Sequence, residues 1–137
     1  MDNNNLEPTL QILSRTPKNA KPRCNFDKDL VTHIKAWSEL GDSIILGIDA
    51  NDGVRHSRLT QSLSSLGIHD GILSTHPSSS PPATQNRNKT RKPIDAIYIS
   101  SNVIVTRAGY APFDGEKSFD SDHRMLWVEL DDMSILG

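Results

Sequence analysis

The sequence has little cysteine, no long apolar run and no excess of either charge. Its single cysteine, Cys24, excludes an internal disulfide and favours a reducing compartment. No apolar run approaches the roughly 20 residues that a membrane-spanning helix needs. The first residues also lack the basic and apolar regions of a secretory signal. These absences predict an intracellular protein, nuclear or cytoplasmic, with no membrane as its partner.

The charges are nearly balanced. Fifteen Lys and Arg side chains face 17 Asp and Glu side chains, which gives a formal net charge of −2. No global positive field therefore marks the chain as a nucleic-acid-binding protein, and any such contact must be local. The 137 residues suit one domain with a real core, and the 35% apolar content is typical of a globular protein.

An amphipathic helix followed by a buried strand is predicted in the first half of the chain. Residues 25–41 offer Asn25 or Asp27 as an N-cap and Gly41 as a stop. Apolar side chains recur on one face of this helix, at Leu30, Ile34 and Trp37. The run SIILGI then has the length and the β-branched content of a buried strand.

The rest of the chain predicts one more helix, three more strands and a long loop. Leu59, Leu63 and Leu66 recur at helical spacing, and IHDGIL reads as a short strand or extended segment. Residues 74–93 hold four of the eight prolines and no apolar period, which predicts a loop. The later strands lie in IDAIYIS, NVIVTR and HRMLWVEL. This order of elements indicates a mixed α/β protein.

Five polar side chains stand next to three of the predicted strands. The first strand is followed by Asp49 and Asn51. The strand IDAIYIS has Asp95 near its start, and the last strand is introduced by Asp122 and His123. If these side chains converge, they supply oxygen ligands for Mg²⁺, a carboxylate to activate a water, and donors for phosphoryl oxygens.

Three ordered motifs around these residues resemble the endonuclease/exonuclease/phosphatase family, which includes DNase I-like enzymes and the endonuclease domains of non-LTR retroelements. GIDAN is similar to the G-D-x-N element, KPIDAIYIS to the [RK]-x-I-D-x-I-x-x-S element, and SDHRMLWVEL to the terminal S-D-H strand. The stretch from IKAW to DAND is similar to the retroelement type. The resemblance covers roughly residues 25–130 and implies the C-terminal half of a four-layered α/β sandwich.

The resemblance also implies a role for each of the five side chains. Asp49 would orient or activate the attacking water, and Asn51 would hydrogen-bond the scissile phosphate. Asp122, together with Asp49, would lie by a Mg²⁺ or Mn²⁺ ion. His123 would stabilise the charged phosphorane, and Asp95 would accept a hydrogen bond from His123 and favour its imidazolium form. The implied activity is metal-dependent phosphodiester hydrolysis, with DNA as the expected substrate.

The sequence departs from the family in two ways. The N-terminal half of the sandwich, with its Asn motif and its metal-binding Glu, has no counterpart here. We therefore expect residues 1–24 to be a polar leader left from an upstream domain and residues 25–137 to be a partial domain. Ile48 also precedes Asp49, where the family often has Gly, and Gly47 sits one place earlier.

A half domain of this kind would expose one face of its sheet and bind metal weakly, with poor or absent turnover. Its expected partners are DNA and either the missing half or a reverse transcriptase polyprotein. Two other functions stay open. One is a phosphatase of the same superfamily that acts on phosphoinositides or small phosphate esters. The other is a noncatalytic remnant that folds only against a partner.

Structural explanations compete with these functional ones. DANDG is also typical of an Asx-rich turn. It does not fit an EF-hand loop, which needs Gly at its sixth and Glu at its twelfth place, because counting from Asp49 places Gly53 fifth and Thr60 twelfth. A basic run precedes Asp95 and suits either a solvated loop or contacts with a nucleic-acid backbone. This run consists of Arg87, Lys89, Arg91 and Lys92.

Overall fold

The structure is a computed structural model that describes residues 21–77, 80–86, 92–113 and 121–136. Residues 1–20, which make up most of the predicted leader, lie outside the described residues. Both helices and antiparallel strands occur, which confirms the mixed α/β class. None of the helices in the described ranges has the length and the apolar content needed to span a membrane.

Nine elements follow one another along the described part of the chain. They are α1 (Pro22–Glu39), β1 (Ile45–Asp49), α2 (Arg58–Ser65), β2 (Ile68–Asp70), α3 (Gly71–Thr75), β3 (Asp95–Ser100), β4 (Val105–Tyr110), β5 (Leu126–Leu130) and α4 (Asp132–Leu136). Strands β1, β3 and β2 form one antiparallel sheet with β3 in the middle, and β4 pairs with β5 in a second.

Helix α1 begins earlier than the sequence predicted. Pro22 occupies its first turn, and Lys21 stands at the N-cap without a side-chain capping bond. The predicted caps Asn25 and Asp27 are therefore wrong. Proline suits the first helical turn because its φ is already helical. The N–H groups of that turn have no acceptor within the helix, so the missing N–H of proline costs no helical hydrogen bond there. The predicted stop is correct, because Gly41 follows the C-cap with a φ of +87°.

The core lies between the three-stranded sheet and the helices α1 and α2. Ile34 from α1, Leu63 from α2 and Tyr98 from β3 belong to one buried cluster. Ser57 caps α2, since its hydroxyl accepts a hydrogen bond from the Thr60 amide at 3.1 Å. Leu59 and Leu63, which recur at helical spacing, are the buried residues of α2, as the amphipathic pattern indicated.

The opposite face of β3 packs against α3. Ile99 is buried there, and a Cβ added to Gly71 would lie 2.7 Å from the Cδ1 atom of Ile99. Only glycine allows the backbone of α3 to come so close. Strand β5 also contacts β3, so the second sheet lies against the first. The predicted loop therefore begins after Thr75 rather than at residue 74.

Strand β1 is an edge strand, whereas the sequence predicted a buried one. Its burial alternates along the strand, and Ile45 is 48% exposed. No strand in the described ranges pairs with its outer edge. Trp37, which the helical pattern placed on the buried face, is also exposed and lines a groove of about 400 Å³ together with Ile45. An apolar run alone does not distinguish an interior strand from an edge strand.

The second sheet begins later in the chain than predicted. Strand β4 starts at Val105 instead of Asn102, and β5 starts at Leu126 instead of His123. Trp127 packs closely on Gly109, where an added Cβ would lie 2.9 Å from the Cζ2 atom of Trp127. Because β5 begins at Leu126, His123 lies in the segment before the strand rather than inside it.

Candidate active site

Two aspartates meet where β1 ends and β3 begins. Asp49 and Asp95 stand directly opposite each other in the antiparallel register. Opposed residues lie on the same face of a sheet, so both carboxylates enter one site. The Asp49 side chain is 43% exposed and that of Asp95 is 15% exposed. The site therefore has one sheltered carboxylate and one that solvent or a ligand can reach.

The turn after β1 fixes the direction of the Asp49 carboxylate. The amide of Asn51 donates a hydrogen bond to Asp49 Oδ1 at 3.0 Å, and the amide of Ala50 donates to the carbonyl of Ile94 at 2.8 Å. Asn51 adopts a φ of +50°, a left-handed conformation that asparagine tolerates better than most residues. The predicted Asx turn is thus present, and it also orients a site carboxylate.

His123 joins the two aspartates. Its Nδ1 atom lies 2.9 Å from Asp95 Oδ2 and its Nε2 atom lies 4.0 Å from Asp49 Oδ2. The hydrogen bond between His123 and Asp95 that the sequence predicted is therefore present. One ligand atom from each of the three residues lies within 4.8 Å of the others.

The environment of His123 favours its charged form. The hydrogen bond to Asp95 raises the pKa of His123 from its usual 6.5, partial burial lowers it, and the charges of Asp95, Asp49 and Asp122 raise it further. The predicted imidazolium agrees with this direction of the pKa shift. A protonated ring donates from both nitrogens, which suits an anionic ligand.

A segment that no sequence pattern indicated connects the parts of this site. Thr84 is fully buried, and its hydroxyl accepts hydrogen bonds from the amides of Ile94 at 2.9 Å and Asp95 at 3.1 Å. Its carbonyl accepts a bond from the Arg124 amide at 2.8 Å. Thr84 thereby holds the start of β3 against the chain that carries His123. Nothing in the local pattern of a proline-rich loop distinguishes this threonine from its neighbours.

Gln85, the next residue, touches the functional side chains themselves. Its Nε2 atom donates to Asp122 Oδ2 at 3.1 Å and lies 3.3 Å from His123 Nε2. Gln85 and His123 also form an isolated antiparallel bridge. The Asp122 carboxylate thus points to Gln85, and within the described ranges it is not part of the three-residue group around His123.

The predicted substrate-binding run is described only at its end. Arg87, Lys89 and Arg91 lie outside the described residues. Lys92 is exposed and lines a groove of about 460 Å³ together with Arg55. The described part of the run is thus cationic and open, on the side of the turn after β1.

The donor set of this site fits a hard divalent cation. Mg²⁺ is commonly held by one or two carboxylates and completes its shell with waters and phosphate oxygens. Asp49 offers an exposed carboxylate, while Asp95 is already bonded to His123. Comparisons with protein-family models, curated proteins and solved structures found no match.

Proposed function

We propose that the chain carries a divalent-metal phosphodiesterase site of the endonuclease/exonuclease/phosphatase type, with DNA as its substrate. The observation that carries this proposal is the convergence of Asp49, Asp95 and His123 from three distant segments of the chain. Two of these residues are joined by the 2.9 Å contact between His123 Nδ1 and Asp95 Oδ2. Each of the three belongs to a different one of the ordered motifs.

Asp49 would hold the metal ion, and Asp122 is the second candidate ligand. When bound, a Mg²⁺ or Mn²⁺ ion supplies positive charge to the phosphate in the transition state. The exposure of the Asp49 carboxylate supports this role, because a metal that also binds substrate must be reachable from solvent. The hydrogen bond from Gln85 would orient Asp122 beside it.

The remaining steps belong to the side chains. Asp49 would orient or deprotonate the attacking water, and Asn51 would hydrogen-bond a phosphate oxygen. The Nε2 atom of His123 would donate to the developing charge on the phosphorane. Asp95 would act as a positioning residue, since it accepts from Nδ1 and so leaves Nε2 directed away from β3.

We further propose that the fold is the C-terminal half of the DNase I-like sandwich. Two features of β1 support this assignment: its face is exposed at Ile45, and no strand in the described ranges pairs with its outer edge. The sandwich would cover both. The same observation favours a second candidate function, a noncatalytic half-domain that acts only together with a partner. In that case the partner would supply the missing sheet.

A plasmid-nicking assay tests the proposed function. If the site is competent in this chain alone, the purified chain should nick supercoiled plasmid slowly and at high Mg²⁺, as expected of a weakly metal-binding half domain, and nicking should stop when EDTA is added. Asp49→Ala and His123→Ala should abolish nicking. The matched controls Asp42→Ala and His33→Ala, at exposed positions outside the site, should retain it.

Other results select between the alternatives. Hydrolysis of inositol phosphates without nicking would favour the phosphatase. Nicking that appears only when the family's N-terminal half is added would favour the partner-dependent half-domain. Nicking that survives both Asp49→Ala and His123→Ala would overturn the proposed site.

A further inference from the structure

A groove of about 770 Å³ opens beside the candidate active site. Asp49 and Asn51 form one of its walls, and the N-terminal turns of α1 and α2 form the others. The groove is much larger than a phosphate group. A ligand that places a phosphate at Asp49 would therefore extend directly into this space.

The far walls of this groove carry two cationic side chains and one exposed aromatic ring. Lys21 and Arg58 are exposed and line the groove, and Phe26 is 56% exposed there. Within the described ranges neither Lys21 nor Arg58 forms an ion pair. The acidic residues on the walls are Asp27, Asp49 and Asp52.

Arg23 connects the groove to the active site. Its guanidinium donates to the carbonyl of Ala50 and lies 4.0 Å from Asp52 Oδ2. The charge of Asp52 is thus partly offset by Arg23, and that of Asp49 would be offset by the proposed metal ion. Of the remaining charges in the groove, Lys21 and Arg58 are positive and Asp27 is negative, so the far walls favour an anion.

We infer that this groove binds the single-stranded flank of a nucleic acid, with a base stacked on Phe26 and backbone phosphates near Lys21 and Arg58. Aromatic rings combined with cationic side chains are what single-stranded nucleic-acid sites use. A small phosphate ester would need neither the ring nor the length of the groove. This inference rests on the proposed function, since it places the scissile phosphate at Asp49.

Binding to a labelled short oligothymidylate tests the role of Phe26. The full chain carrying His123→Ala, which should block hydrolysis, is titrated in Mg²⁺ so that the proposed metal ion stays in place, and fluorescence anisotropy reports the affinity. We expect Phe26→Leu to weaken binding by at least about fivefold because stacking is lost. Phe26→Trp should retain the affinity. Ile104→Ala, at an equally exposed apolar position on another surface, should have no effect.

An abasic oligonucleotide of the same length provides the decisive comparison. It has phosphates but no bases, so we expect Phe26→Leu to leave its affinity unchanged. An equal loss of affinity for both oligonucleotides would overturn the stacking role. Circular dichroism and thermal unfolding of each variant establish that it folds as the parent chain does.

The salt dependence tests the two cations. Lys21→Gln and Arg58→Gln should each reduce the slope of log affinity against log salt concentration by about 0.7, the value expected for one phosphate contact on a single strand. Lys35→Gln, which removes an exposed cation on α1 that is paired with Glu39, is the control and should leave the slope unchanged. Unchanged slopes in both groove variants would overturn the inference.

The failure of this inference can be distinguished from the failure of the proposed function. Nicking that depends on Asp49, with binding that ignores Phe26, Lys21 and Arg58, would retain the active site and overturn the groove. Binding that depends on these three residues in a chain that never nicks would support the groove and count against the phosphodiesterase.

Discussion

Strands β1 and β3 pair residue for residue, but their surroundings differ. β3 lies in the middle of the sheet with packing on both faces, while β1 lies at its edge. Cross-strand partners of the same residue type therefore stand in different environments. Ile99 is 4% exposed and its partner Ile45 is far more exposed, and Asp95 is more sheltered than its partner Asp49.

The comparison shows how one register can give two identical residues different roles. The sheltered carboxylate of Asp95 holds His123 in place. The open carboxylate of Asp49 stays accessible to a metal ion, to water and to substrate. Position within the sheet, rather than residue type, thus separates the residue proposed to position His123 from the one proposed to react. The experiments below change residues of the two cross-strand pairs, Asp49 with Asp95 and Ile45 with Ile99.

The largest difference is expected between the two aspartates. Asp49→Asn should lower the plasmid-nicking rate by about 10²–10⁴, because the group that activates water is lost. Asp95→Asn should lower it by only about 10–100-fold, because an amide oxygen can still accept from His123. The rates are compared at saturating Mg²⁺. Equal losses in the two variants would remove the distinction between these carboxylates.

A smaller difference is expected between the two isoleucines, measured as unfolding free energy in urea. Ile99→Ala should cost about 2–5 kcal/mol, because it leaves a cavity between β3 and α3. Ile45→Ala should cost less than about 1 kcal/mol, as is usual at exposed positions. Both changes remove the same atoms and the same β-branch, so the difference isolates burial. A large cost at Ile45 would show that its face is covered in solution.

The smallest expected effect is on the titration of His123. Asp95 raises the pKa of His123 above 6.5, so NMR titration should show Asp95→Asn lowering that pKa. Because the folded pKa is raised, the stabilisation is fully present below pH 6.5 and is lost as the pH rises through the folded pKa. Asp42→Asn, at the other end of β1, is the control. An unchanged pKa in Asp95→Asn would contradict the proposed role of the hydrogen bond.

Much of the layout follows from local sequence signals. The apolar spacing of Leu59 and Leu63 predicted α2, and the pattern of IDAIYIS predicted a strand, β3, although not its central place in the sheet. The bond between Asp95 and His123 was predicted through the motifs that surround both residues. These features depend on periodicity or on recognisable motifs, both of which can be read along the chain.

Other features depend on tertiary contacts that leave no local signal. The edge position of β1 depends on which strands pair with it. The apolar run SIILGI is compatible with an edge strand and with an interior strand. Thr84 and Gln85 form bonds to distant residues, and their own neighbours in the chain give no periodicity. The start of α1 differs from these features, since it follows a local signal: proline at position 22 is compatible with the first turn of a helix.

The hydroxyl of Thr84 links the catalytic geometry to the order in which the chain folds. It bonds to amides ten and eleven residues away, and His123 reaches Asp95 across 28 residues. The contact between His123 and Asp95 requires two distant segments to meet, so we expect it to form after the local helices. During refolding, helical circular dichroism should recover before His123 regains its contact with Asp95, which the NMR signals of His123 report.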